Sequence, residues 1–432
     1  MRSVCFVDHL EFEFSGSIFK NAIALGDVDN DGEIELIAGN MNGDLMIYKH
    51  DKLWQKINNL GMITAVGVGD IMNCGSNALV IVSGDGWCHI CLCLHPKTED
   101  NEDITPNVKL EPVHVQRIPP NTKVMVLEDV DGDGNVELVL GLTDRVVRSY
   151  RWVQSATGGR LVCLFKWECA NQIGGIALNH NEQGLPKVLV AQPGGTIMRI
   201  NTEITPTPTV DKDGEQIKRN ENLLPSSVEY HPLMASRMRN PNISTEIIAD
   251  MAQGSDSPKG KAKPYVVATL DGTLMFVKDE EIIWSYQVDH QLFALSKLDI
   301  TGDGQDEIVA CSWDGQTYIL DQKKNSVRFH LEESVSSFCA GLYSLTADST
   351  PSPCFVYVTF NSKILLYYNI KIPKMVTESL ISMIFESEEA KALIGEDILN
   401  DRRRLQQLIR WCLYGPRRPT SQLCVRESSN VT

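Results

Sequence analysis

Three stretches of the sequence carry acidic side chains at a repeated spacing that could hold a metal ion. The first begins at Asp27 and reads Asp-x-Asp-x-Asp-Gly-x-x-Glu, so carboxylates stand at loop positions 1, 3, 5 and 9. Gly32, at position 6, gives the backbone the freedom to curl around a central point. A hard cation such as Ca²⁺ takes about 6–8 oxygen ligands from carboxylates, carbonyls and water. The pattern predicts a structural site for Ca²⁺, with Mg²⁺ as the alternative ion.

The same pattern recurs twice further along the chain. The second loop keeps all four carboxylates, whereas the third has Thr301 at position 3 and therefore one negative charge fewer, which predicts weaker binding. The residue at position 7 is predicted to contribute its backbone carbonyl. The predicted ligands, loop by loop, are Asp27, Asp29, Asp31, Glu33 and Glu35; Asp129, Asp131, Asp133, Asn135 and Glu137; and Asp299, Thr301, Asp303, Gln305 and Glu307.

An EF-hand opens with the same residues but does not fit the rest of the pattern. It needs a bidentate Glu at loop position 12 and a helix on each side. Position 12 is Ala38, Leu140 or Ala310 here, and the flanking runs are short and of β type. Ordinary acidic surface turns are the other alternative, and one spacing repeated three times argues against them.

The acidic loops belong to a repeat of four short strands. Asp70 follows Asp27 by 43 residues at the same place in the pattern, which is the length of a four-stranded propeller blade. Seven such units fit into residues 1–372, and the last supplies only three strands. Residues 4–12 are therefore predicted to pair with 363–370 and close the ring. The sequence predicts an all-β fold, a seven-bladed β-propeller.

Three other positions resemble degenerate copies of the acidic loop. They begin at Asp70, His180 and Asp250, and each lacks most of the acidic ligands. We expect these loops to hold no metal, because too few oxygen ligands remain.

Several segments fall outside the blade pattern. Polar inserts at 97–107, 202–224 and 253–263 are predicted to be mobile. At 373–415 the apolar spacing becomes helical, which predicts a short α-helical tail, and 416–432 is predicted to be disordered. The apolar stripe that includes Leu405 and Leu408 would pack on the propeller or bind a partner, and the sequence leaves both open.

Composition excludes several classes of protein. A net charge of −16 and a pI near 5.1 argue against binding nucleic acid, which needs clustered Lys and Arg. No apolar run reaches the roughly 20 residues that cross a bilayer, and the first residues lack the pattern of a signal peptide. We therefore predict a cytoplasmic protein without direct membrane insertion, whose twelve cysteines are reduced thiols.

The acidic loops resemble the calcium-binding FG-GAP repeats of integrin α-chain propellers, although the Phe-Gly and Gly-Ala-Pro tripeptides that named the repeat are absent. Over about residues 1–370 the chain is also similar to a family of FG-GAP repeat proteins that are subunits of the KICSTOR complex. The stretches 121–125, 288–295 and 312–318 carry the resemblance most clearly.

The resemblance implies a non-catalytic scaffold at the lysosomal surface. Its implied partners are a kaptin-like propeller subunit, a large KICSTOR scaffold subunit and the GATOR complex, which acts on Rag GTPases. Tethering of GATOR would restrain TOR signalling when amino acids are scarce. From the residues alone, two other classes compete with a scaffold. A calcium-responsive adaptor would need a bistable element coupled to the loops. A propeller enzyme would carry its chemistry on scattered residues, since no catalytic motif stands out.

Overall fold

The computed structural model describes residues 2–94, 109–155, 158–202, 228–233, 242–254, 262–278, 280–347, 350–376, 379–399 and 401–415. The described strands form seven sheets, each built on four antiparallel strands, and one sheet gains a fifth strand that pairs parallel to its edge. The chain divides into two compact units, Met1–Met375 and Val376–Thr432. The first unit is a seven-bladed β-propeller, and the predicted fold class is confirmed.

Two short strands precede the first blade, and the next twelve build the first three blades. The leading strands are β1 (Arg2–Ser3) and β2 (His9–Glu13). The blades are β3 (Ile18–Gly26), β4 (Glu35–Asn40), β5 (Leu45–Lys49) and β6 (Lys52–Ile57); β7 (Ile63–Gly69), β8 (Ala78–Ser83), β9 (Trp87–Leu94) and β10 (Lys109–Arg117); and β11 (Thr122–Glu128), β12 (Glu137–Leu142), β13 (Val146–Ser155) and β14 (Gly158–Glu168).

The remaining strands build blades four to seven. They are β15 (Ile176–His180), β16 (Pro186–Gln192), β17 (Thr196–Asn201) and β18 (Val228–Pro232); β19 (Thr245–Ile248), β20 (Tyr265–Thr269), β21 (Thr273–Lys278) and β22 (Glu281–Gln287); β23 (Leu292–Leu298), β24 (Glu307–Ser312), β25 (Gln316–Leu320) and β26 (Ser326–His330); and β27 (Val335–Tyr343), β28 (Ser352–Thr359) and β29 (Lys363–Tyr367).

Burial falls from the inside of a blade to its rim. Strands β4, β8, β12 and β24, each the second of its blade, are buried at every residue. Outer strand β22 instead alternates between exposed and half-buried residues. Inner strands are covered on both faces by the neighbouring blades and therefore read as continuous apolar runs, whereas an outer strand presents one face to water. The core accordingly lies between blades, and Leu36 and Ile47 of the first blade share a cluster with Val356 of the seventh.

Strand β2 closes the ring as the fourth strand of the seventh blade. It pairs antiparallel with β29, from His9 opposite Tyr367 to Glu13 opposite Lys363. The ring of Phe12 is buried, and its centroid lies 4.5 Å from that of Tyr48 in the first blade. The predicted pairing is confirmed.

The closing strand spans 9–13 and not the predicted 4–12, because residues 4–8 connect it to another short strand, β1, on the neighbouring blade. Strand β1 runs parallel to β26 on the outer edge of the sixth blade, with Arg2 opposite Val327. The backbone N–H of Val4 then donates to the carbonyl of Arg328 at 2.8 Å. The chain crosses from the sixth blade to the seventh between β1 and β2, and this crossing was not predicted.

The second unit contains four short helices: α1 (Leu380–Glu386), α2 (Glu388–Ile394), α3 (Glu396–Leu399) and α4 (Arg402–Tyr414). Side-chain oxygens of Ser379, Ser387 and Asp401 accept backbone N–H groups at the starts of α1, α2 and α4. Among the described residues, no helix combines the length and apolar character needed to cross a bilayer. The predicted segments 97–107 and 416–432 lie outside the described residues, as do most of 202–224 and 253–263.

We expect ring closure to depend on the buried side chain of β2. The Phe12→Ala variant should lose about 3–5 kcal/mol of unfolding free energy, because it leaves a cavity between the first and last blades. Glu11→Ala is the matched control on the same strand, since its solvent-exposed ion pair with Lys363 should contribute little to the unfolding free energy. Urea denaturation of both variants measures the difference. Equal midpoints would contradict a stabilising role for the closing strand.

Candidate metal-binding loops

The three acidic loops occupy equivalent places in the first, third and sixth blades. Each joins the first strand of its blade to the second, and its position-9 glutamate opens that second strand. Because neighbouring strands are antiparallel, these loops lie at the opposite end of the strands from the turns between second and third strands. All three therefore lie on one face of the propeller.

The aspartate at position 1 shapes each loop through the glycine at position 6. A carboxylate oxygen of Asp27 accepts the backbone N–H of Gly32 at 2.9 Å. The equivalent distances are 2.8 Å in the second loop and 2.9 Å in the third. The three glycines have φ angles of 89°, 88° and 79°, values that residues with a side chain rarely adopt. This part of the pattern is required by the backbone, whether or not an ion is bound.

The glutamate at position 9 anchors the start of each loop. Glu35, Glu137 and Glu307 are buried, and each accepts the backbone N–H at position 2, at 2.9, 3.0 and 2.7 Å respectively. Burial, which disfavours the charged carboxylate, raises the pKa of each of these glutamates to about 7. One oxygen of each predicted ligand is thus already engaged with the backbone.

A lysine from the neighbouring strand reaches into the first loop. Lys49, the last residue of β5, has a side chain that is only 15% exposed. Its Nζ lies 2.7 Å from Asp29 Oδ2, 2.5 Å from Asp31 Oδ2, 3.1 Å from Glu35 Oε1 and 3.4 Å from Glu33 Oε2. Burial alone would lower the pKa of the Lys49 ammonium, but its hydrogen bonds to the carboxylates raise that pKa above the usual value.

An arginine does the same in the second loop. Arg151 of β13 lies directly opposite Glu137 in the strand register. Its guanidinium nitrogens lie 2.8 Å from Asp131 Oδ2, 2.7 Å from Asp133 Oδ2 and 2.5 Å from Glu137 Oε1. Such a fork of charge-assisted hydrogen bonds fixes three carboxylates at once.

The third loop is closed without a basic side chain from the corresponding position. That position is Asp321, whose carboxylate accepts hydrogen bonds from Asn325 at the end of the next turn. Thr301 compensates in part, because its hydroxyl donates to Glu307 Oε1 at 3.1 Å. The remaining predicted ligand at position 7, Gln305, forms a β-bridge with Gln253 of the preceding blade.

The donor set of the first two loops suits a hard cation, but a basic side chain already contacts it. Oxygens of Asp27, Asp29 and Glu35 lie within 4.8 Å of one another, as do those of Asp31, Glu33 and Glu35 and, in the second loop, those of Asp129, Asp131 and Glu137. In the first loop, Asp27 Oδ1 and Asp29 Oδ1 are buried without a hydrogen-bond partner among the described residues. Metal binding remains a prediction, and a divalent ion would compete with Lys49 or Arg151 for the same oxygens.

The three degenerate loops are built from other contacts. Asp70 keeps the turn-forming role of position 1, accepting the backbone N–H groups of Cys74 at 2.9 Å and Gly75 at 2.7 Å. The imidazole of His180 hydrogen-bonds to Asp250 of the next blade, whose carboxylate also lies 3.3 Å from Lys263 Nζ. That these loops hold no metal remains a prediction.

Sequence reasoning missed Lys49 and Arg151, although a signal for both was present. Each basic residue follows the position-9 glutamate of its loop by fourteen residues. Fourteen residues span the hairpin between the second and third strands of a blade. The two residues therefore lie directly opposite each other in the strand register, as Glu137 and Arg151 do.

Comparison with known proteins relates the whole chain to one family. A sequence profile described as integrin-alpha FG-GAP repeat-containing protein 2 matches residues 47–372. KICSTOR complex protein ITFG2 of Mus musculus is 40% identical over 434 residues, 97% of either chain. The Bos taurus protein of the same name is 40% identical over 404 residues, 89% of this chain and 74% of its own.

Solved structures with low sequence identity share the fold. BBS1N, crystallised in complex with ARL6DN, has a TM-score of 0.58 at 12% identity and covers 87% of this chain and 100% of its own. Sqt1 of Saccharomyces cerevisiae has a TM-score of 0.50 at 10% identity, covering 85% and 100%. At these identities the likeness concerns the propeller architecture alone.

We expect the position-9 glutamate to stabilise its loop by accepting the backbone N–H at position 2. The third loop is the best place to test this, because no basic residue stands opposite its glutamate and the hydrogen bond can be studied separately from an ion pair. Glu307→Ala should cost about 1–3 kcal/mol of unfolding free energy, because the buried N–H of Ile300 loses its acceptor. Glu307→Gln keeps an acceptor oxygen and should cost less than about 1 kcal/mol. Chemical denaturation of both variants tests this, and equal losses would exclude the hydrogen bond as the cause.

Proposed function

Because the chain belongs to the integrin-alpha FG-GAP repeat-containing protein 2 family, we propose that it is a non-catalytic scaffold subunit of a KICSTOR complex. The observation that carries this proposal is the 40% identity to KICSTOR complex protein ITFG2 of Mus musculus, which extends over 97% of both chains. The likeness therefore includes the helical tail as well as the propeller.

We further propose that this subunit helps to tether the GATOR complex at the lysosomal surface and so restrains amino-acid-dependent TOR signalling. A kaptin-like propeller subunit and a large KICSTOR scaffold subunit are the direct partners in this proposal. The closed ring supports a scaffold, because blades that are packed on both faces by their neighbours hold their loops in fixed relative positions.

The helical tail offers a defined surface for such a partner. In the stripe whose role the sequence left open, Leu405 is only 8% exposed and Leu408 is half-buried. On the last turn of α4, however, Trp411 is 59% exposed and Tyr414 is 83% exposed. Three residues apart, they lie on the same side of the helix. Exposed Trp and Tyr side chains are frequent energetic centres of protein interfaces.

We expect affinity purification of the full chain from amino-acid-starved cells to recover the proposed partners. Mass spectrometry should identify a kaptin-like propeller, a very large scaffold subunit and GATOR components. Recovery of the chain alone, together with a hydrolase activity, would contradict the scaffold proposal. Recovery that is lost on calcium chelation would instead favour the calcium-responsive adaptor.

We expect the exposed aromatic pair of α4 to contribute to partner binding. A Trp411→Ala/Tyr414→Ala variant should reduce partner recovery by at least about tenfold, since truncation of a single hot-spot aromatic costs about 2 kcal/mol or more. Its melting temperature should match that of the native chain, because both side chains are exposed. Gln406→Ala/Gln407→Ala, exposed on the same helix, is the matched control. Undiminished recovery by the aromatic variant would exclude this surface.

A further inference from the structure

We propose that Lys49 and Arg151 are built-in cations that close the first two acidic loops in place of a divalent ion. The first and third blades would then fold and stay folded without Ca²⁺ or Mg²⁺. This inference concerns the loops of the isolated chain and goes beyond the proposed scaffold function.

The first step of the argument is the convergence of the carboxylates on one atom. In the first loop, the side chains at positions 3, 5, 7 and 9 all have an oxygen within 3.4 Å of Lys49 Nζ. Oxygens that bind Ca²⁺ lie about 2.3–2.6 Å from the ion, so an ion and an ammonium nitrogen cannot share the same small space. The lysine therefore takes the central position that the spacing of the acids defines.

The second step is a comparison between blades of the same chain. In the two loops with four carboxylates at positions 1, 3, 5 and 9, the residue opposite position 9 on the third strand is basic. In the sixth blade, where the loop has lost one of these carboxylates, that residue is Asp321. In the second blade, where Ala78 replaces the glutamate, it is Leu92. In the fourth blade, where the loop is one residue shorter, Lys187 takes the place of the glutamate in the strand register, and its partner is Asn201. Among the blades whose loop between the first and second strands is fully described, the residue opposite position 9 is basic where all four carboxylates are present and is not basic in the others.

The third step is that the two loops are closed to different degrees. Arg151 forms a fork with three carboxylates, and the described residues of the second loop leave none of its carboxylate oxygens buried without a partner. Lys49 offers a single ammonium group to a larger set of acids. Three buried oxygens of this loop have no hydrogen-bond partner among the described residues, namely Asp27 Oδ1, Asp29 Oδ1 and Glu35 Oε1, although the last is in ion-pair contact with Lys49. We therefore expect removal of Lys49 to create a stronger divalent-ion site than removal of Arg151.

The test compares melting temperatures of the full chain after chelation and after addition of Ca²⁺. The native chain should melt at the same temperature in both conditions, within about 1 °C, because no bound ion contributes stability. Lys49→Met and Arg151→Met should melt roughly 5 °C lower after chelation, since the buried carboxylates lose their partner. Calcium should restore much of this loss in both variants, and more in Lys49→Met.

Lys56→Met provides the matched control in the first blade. Lys56 pairs with Asp44 at 3.2 Å on the outer strand, away from the loop, and its side chain is 40% exposed. This variant should show no calcium response. A native chain that loses stability on chelation, regains it with Ca²⁺ and retains about one bound ion per chain by elemental analysis would overturn the proposal.

The proposal stays testable if the methionine variants do not fold. The native chain alone decides it, because its metal content and calcium response need no variant. Asp131→Ala gives a second readout: removal of one partner of Arg151 should lower the melting temperature equally with and without Ca²⁺. A loss seen only in the presence of Ca²⁺ would show that Asp131 acts as a metal ligand and would refute the built-in cation.

Discussion

The pairing between β2 and β29 is the constraint on which the rest of the propeller depends. Each blade buries its faces against two neighbours, so the first and seventh blades are fully covered only when the ring is closed. The core cluster that spans this junction contains Phe12 of β2, Leu36 of the first blade and Val356 of the seventh. Backbone hydrogen bonds to β29 and side-chain packing against the first blade therefore act together. Without them, two sheet faces and one strand edge would meet water.

Much of this architecture could be predicted, because its signals repeat. The 43-residue spacing, the acidic loops and the missing strand of the last unit were sufficient to predict seven blades and their closure. The parallel pairing of β1 with β26 could not be predicted, because only two residues of β1 take part in it. A contact that short has no periodic pattern, and its partner is more than 300 residues away in the chain.

The candidate site was predicted less completely, for a different physical reason. The acidic pattern identified the carboxylates and the glycine that shape the loops, but it missed Lys49 and Arg151. The same carboxylates serve two purposes, which are to hold the loop backbone and to bind a cation. Asp27 and Glu35 each use one oxygen to hold the loop backbone, which any folded copy requires. The remaining oxygens are the ones available to a cation. The neighbouring strand decides whether that cation is a free ion or a basic side chain. Lys49 can be recognised as the basic side chain of the first loop only once the register between β4 and β5 is known.

The closing pair also sets the order in which the protein can be made. Residues 9–13 are synthesised before all seven inner strands of the propeller, yet their partners at 363–367 are nearly the last part of the propeller to be synthesised. At about 5–20 residues per second, the early segment waits roughly 20–70 s for its partner. During this interval the completed blades form an open arc with an apolar sheet face exposed at each end. The packing between the first and last blades, which includes Phe12 and Val356, can form only when the last blade emerges.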